Sequence, residues 1–79
     1  MPEPNPIKLL FAPNLRMATN AIRQRPEFGN RRPLLLNKWN TLGYRNADVM
    51  VVNPHLLSQE QYELVRCLSR DNRVTFWRD

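Results

Sequence analysis

Apolar residues in this chain gather in short runs of two different periods. Val49, Met50, Val51 and Val52, inside Ala47–His55 (A-D-V-M-V-V-N-P-H), show no alternation. An unbroken run of β-formers is buried on both faces, the pattern of a central strand in a parallel sheet that is covered on both sides. Ile7–Ala12 (I-K-L-L-F-A) has the same character, and Leu34–Leu36 is a shorter version of it. Arg73–Trp77 alternates instead, with Val74 and Phe76 on one side and Thr75 and Trp77 on the other. It reads as a closing strand with two unlike faces.

Between these runs the period lengthens to that of a helix. Asn14 is placed to cap a helix over Leu15 to about Arg25, ended by Pro26. Leu15, Ala18, Ala21 and Ile22, with Met17 at the margin, form its inner stripe, and Arg16, Asn20, Arg23 and Gln24 its outer one. Glu27–Pro33 is a loop from which Phe28 folds back as a lid. Asn37–Asn46 is about the shortest link that can cross between parallel strands, with a helical turn at most. Ser58 and Gln61 match a capping box, and Leu57 and Tyr62 a hydrophobic staple, at the start of another helix. Tyr62, Leu64, Val65 and Leu68 are expected to face inward, with Cys67 as a small core hydrophobe. Glu60 and Glu63 lie early in that helix, and Arg66 and Arg70 late, as the helix dipole prefers.

The resulting order is β-α-β-β-α-β, a small three-layer α/β domain with a mainly parallel four-stranded sheet. Right-handed crossovers place one helix on each face if the strand order is 2-1-3-4. A mixed sheet with an antiparallel last strand is the alternative. Residues 1–6 (M-P-E-P-N-P) read as a Pro-rich arm and 7–79 as a single domain.

Charge adds a second theme. The chain of 79 residues carries a net charge of +5, and ten of its twelve cations are arginine. Residues 1–45 hold eight cations against two anions (+6), and 46–79 hold four against five (−1). Such a lopsided basic half suits a polyanion or an acidic protein face. One cysteine excludes an intrachain disulfide and a cysteine-based metal site. There is no signal-like opening segment and no membrane-length apolar run, so a cytoplasmic protein is expected.

Two groups of residues are candidates for binding. The first is a set of strand-end residues, Asn14, Asn37, Asn53 and His55, which a parallel sheet brings to its carboxyl edge. Open α/β sheets bind ligands at that edge where the strand order reverses, beside a helix N-terminus suited to anions. Each Asn also has an ordinary explanation as a cap or turn residue. With only Gly29 and Gly43, the chain has no glycine-rich phosphate loop. The second group is Arg16, Arg23, Arg31, Arg32, Lys38 and Arg45, with Trp39 and Tyr44 interleaved. Arginine with exposed aromatics can follow a phosphate backbone or form the hot spot of a protein interface. Packing of Trp39 and Tyr44 under the crossover link is the competing explanation.

Catalysis is not expected. His55 is the sole histidine, and Asp48, at the far end of the same strand, is about 20 Å away and cannot orient it. No metal or cofactor is expected either. The β-α-β-link-β sequence loosely resembles part of a Rossmann-like nucleotide-binding core without its phosphate loop. Short, basic, Arg-rich domains of this kind also look like phage accessory proteins. The expected function is therefore a non-enzymatic binding module that docks through its Arg-rich half on nucleic acid or an acidic protein face, and regulates or inhibits a larger machine. The alternative is a Rossmann-like binder of a nucleotide or other phosphate ligand at the carboxyl edge of the sheet.

Overall fold

The computed structural model describes residues 7–78; the Pro-rich arm expected at residues 1–6 lies outside them. The chain forms β1 (Lys8–Ala12), α1 (Leu15–Gln24), β2 (Arg32–Leu35), α2 (Lys38–Thr41), β3 (Asp48–Val52), α3 (Gln59–Asp71) and β4 (Arg73–Trp77). Single 3₁₀ turns occupy Pro26–Phe28 and Pro54–Leu56. The four strands make one all-parallel sheet in the order β2-β1-β3-β4, as the run pattern predicts.

The unalternating strands divide their side chains between two cores. Leu9, Phe11, Val49 and Val51 point to one face, where Val65 and Leu68 of α3 cover them with Leu36 and Ala47. Leu10, Ala12 and Val52 point to the other, under Ala18 and Ala21 of α1. The helices thus lie on opposite faces, as right-handed crossovers require. Small side chains on α1 bring that helix close to the sheet. A helix about 10 Å wide cannot span four strands spaced about 4.8 Å apart. The remainder of that face is closed by Phe28 and Trp77, whose rings meet edge to face with centroids 5.5 Å apart. Phe28 is the lid expected from its loop, and the Arg25 guanidinium lies 5.9 Å from the centre of the Trp77 ring.

The helix starts form where the capping residues put them. Asn14 Oδ1 accepts from Met17 N–H at 2.9 Å. Ser58 and Gln61 form the full reciprocal capping box of α3. Gln61 does more: its Nε2 donates to the carbonyls of Pro13 (3.0 Å) and Leu36 (3.1 Å). These carbonyls follow β1 and β2, so one amide ties the start of α3 to two strand ends.

Several expectations are corrected. β2 runs Arg32–Leu35, starting two residues before the expected Leu34 and including Pro33; Leu36 leaves the strand, although its N–H still donates to the Ala12 carbonyl. Leu15 is exposed at the open first turn of α1. Tyr62 is 56% exposed, so of the expected staple only Leu57 packs on the core. Cys67 is exposed as well, one position off the Leu64, Val65 and Leu68 stripe. No described helix is long and apolar enough to cross a membrane.

The two outer strands differ. β2 carries Pro33, which has no N–H to offer an outer neighbour, whereas β4 (R-V-T-F-W) contains no proline and leaves Phe76 exposed.

Candidate functional site

Three of the four strand-end residues meet in one place. Asn14, Asn53 and His55 line a cleft of about 670 Å³ at the carboxyl edge, together with Arg16, Met17, Asn20 and Leu56. The cleft sits where the chain leaves β1 toward β2 on one side and leaves β3 toward β4 on the other, the reversal point of the strand order. Asn53 is 5% exposed and takes up the left-handed backbone region at φ 52°. Asparagine tolerates that region better than other non-glycine residues. Its Nδ2 lies 3.9 Å from the Met17 sulfur. His55 is exposed in the 3₁₀ turn that follows, and Arg16 is on the first turn of α1. Asn37 does not join them: its Oδ1 accepts from Asn40 N–H at 2.8 Å and caps α2.

The basic set is dispersed by the fold. Arg16 and Arg23 are exposed on α1, on one face of the sheet, while Lys38, Trp39, Tyr44 and Arg45 belong to the link on the side of α3. Arg32 is exposed on the edge strand β2. Arg31 is committed to the structure. Its Nη1 donates to the carbonyls of Leu9 (3.2 Å) and Asp48 (3.1 Å), and its Nη2 to Asp48 Oδ1 at 3.2 Å. The Arg31 side chain is 12% exposed, so its charge is held inside rather than offered to a partner.

Of the eight residues in that set, Lys38, Tyr44 and Arg45 share a groove. It measures about 390 Å³ and lies between the link and α3, with Leu42, Leu64, Cys67, Leu68, Asp71 and Asn72 among its walls. Tyr44 packs half-buried against the core, but Trp39 is 80% exposed on α2. Packing under the crossover link therefore describes Tyr44 and not Trp39. The link is firmly built. Asn40 Nδ2 donates to the Leu35 carbonyl (2.8 Å), and Asn72 Nδ2 donates to the carbonyls of Tyr44 and Leu68 (both 3.1 Å). Gly43 turns the link at φ 83°, where a side chain is strained.

Most of the cations have no ionic partner among the described residues. Only Arg31 (with Asp48) and Arg25 (with Glu27, 3.8 Å) form ion pairs among the described residues, which contain all twelve Lys and Arg of the chain. No cluster of three or more His, Cys, Asp or Glu side chains able to hold a metal ion occurs among the described residues. Sequence reasoning missed the internal role of Arg31, because nothing local distinguishes it from Arg32 and its partner lies seventeen residues away. It also missed Gln61 as a clamp, whose capping signal conceals the two longer bonds. Comparison with protein-family models, with curated proteins and with solved structures finds no match to this chain.

Proposed function

We propose that the protein is a small basic, non-enzymatic docking module of the cytoplasm. It engages an acidic surface, nucleic acid or protein, on a larger assembly and regulates or blocks it, in the manner of phage accessory proteins. One observation carries this reading: ten of the twelve cations have no ionic partner among the described residues, so their charge is available to a partner. An exposed Trp39 next to Lys38 supports it, since tryptophan and cations together are typical of interface anchors. The test is capture of partners from a cell lysate at rising salt, with and without nuclease. Retention should fall steeply with salt, and charge reversal at Arg16, Arg23, Arg32, Lys38 and Arg45 should abolish it. Retention that ignores both salt and these reversals overturns the reading. Arg31 does not belong in the reversal set, because reversing it attacks the fold.

A second reading is favoured by the meeting of Asn14, Asn53 and His55 with Arg16 in the carboxyl-edge cleft. There the module would bind a nucleotide or other phosphate ligand. Its melting temperature should then rise with nucleotide concentration, and Arg16→Ala should remove the rise. A flat response across a nucleotide panel rules this version out.

A further inference from the structure

We propose that the groove between residues 38–45 and α3 takes an acidic peptide segment of a partner protein, one that carries an apolar side chain. This rests on the docking-module reading and gives it a site and a partner class. The chemistry of the groove is mixed in a way that selects for such a peptide. Leu42, Tyr44, Leu64 and Leu68 supply apolar wall, and Lys38 and Arg45 supply charge with no ionic partner among the described residues. On the outer flank of α3, Arg66 and Arg70 border an adjoining depression with Glu63, which shares Cys67 with the groove. Counting Lys38, Arg45, Arg66 and Arg70 against Glu63 and Asp71, this surface carries a net charge of +2. It therefore complements an acidic segment.

The apolar wall argues against a nucleic-acid backbone, which carries phosphates at every step and gains little from leucine. A peptide can place acidic groups against Lys38 and Arg45 and an apolar group against Leu42 and Leu64. Leu42 is 57% exposed in the groove wall, and Trp39, 80% exposed, lies on the same short link. The wall is also fixed before any partner arrives. Asn37 caps α2, Asn40 ties it to the end of β2, and Asn72 ties the Tyr44 carbonyl to the end of α3. A preformed wall lowers the ordering cost of binding.

The experiment is selection of a displayed random-peptide library on the immobilised full chain, followed by affinity measurements on the enriched peptides and on mixed-sequence single-stranded DNA. The expected winners are acidic and contain an apolar residue. Their binding should weaken about tenfold or more in Lys38→Glu/Arg45→Glu and in Trp39→Ala, and stay unchanged in Arg16→Glu/Arg23→Glu. Circular dichroism checks that each variant is folded. Winners without acidic residues, or insensitive to the changes at Lys38, Arg45 and Trp39, overturn the inference. If DNA binds with a steep salt dependence and the reversals on α1 abolish it while no acidic peptide is enriched, the groove assignment fails and the docking reading stands. If neither peptide nor DNA binds, the groove assignment fails, and the docking reading fails with it when salt-sensitive capture from lysate is absent too.

Discussion

The Arg31 guanidinium reaches from the loop before β2 to the Asp48 carboxylate at 3.2 Å, and its other arm bonds the main-chain carbonyls of Leu9 and Asp48. One side chain thus joins the two central strands, β1 and β3. Removing it leaves three acceptors without this donor. Arg31→Ala should cost about 2–3 kcal/mol in urea unfolding, and Arg31→Lys, which keeps the charge but not the fork, about 1–2 kcal/mol. Arg32→Ala, one residue on, should change stability by less than about 0.5 kcal/mol. Equal effects at the two arginines would show that the contact carries no weight.

Gln61 separates a capping role from a clamping role. Gln61→Glu keeps an acceptor for the Ser58 N–H, and glutamate is a good capping-box residue, so helix rules alone predict little change. The amide also donates to the Pro13 and Leu36 carbonyls, and a carboxylate would instead repel them. Gln61→Glu should therefore destabilise by about 1–3 kcal/mol, at least as much as the roughly 1 kcal/mol expected for Ser58→Ala. A neutral Gln61→Glu would mean that the two long bonds do not contribute in solution.

Asn46 offers a test of backbone conformation without the complication of burial. It is exposed and sits at φ 56°. Asn46→Gly should be neutral to within about 0.5 kcal/mol, whereas Asn46→Val should cost about 1–2 kcal/mol, because a β-branched residue is strained in the left-handed region. Thermal denaturation of the pair is sufficient; a stable valine variant would place this residue elsewhere in φ,ψ space.

Trp39 and Phe11 should respond oppositely to truncation. Phe11 is fully buried between the strands and α3, and Phe11→Ala should cost about 3–5 kcal/mol. Trp39, largely in solvent, should lose less than about 0.5 kcal/mol on going to alanine. A large stability loss in Trp39→Ala would return this tryptophan to the core and remove it from the exposed residues beside the groove.

The sheet was legible from the sequence because its central strands are buried on both faces. Val49–Val52 and Leu9–Ala12 alternate with nothing, and that alone places them inside a covered parallel sheet. Helix starts were legible because capping is local: Asn14, Ser58 and Gln61 act within three residues of themselves. Side-chain direction at helix ends was not. Tyr62 shares the helical period of the inward stripe, yet it is 56% exposed while Val65 and Leu68 one and two turns on are buried. Of the candidate sites, the meeting of Asn14, Asn53 and His55 followed from parallel topology. The withdrawal of Arg31 did not, since it depends on a contact made only once the chain has folded.

The unlike edges of the sheet limit how the protein could assemble with itself. A sheet that grows by adding chains needs two valences per molecule, one to accept a neighbour and one to accept the next. Pro33 removes a donor from the β2 edge, while β4 keeps its full set. The β4 edge is therefore the better equipped of the two for strand addition. Two copies meeting through β4 would each cover that edge and leave outward the one weakened by Pro33, which disfavours running on into a fibre.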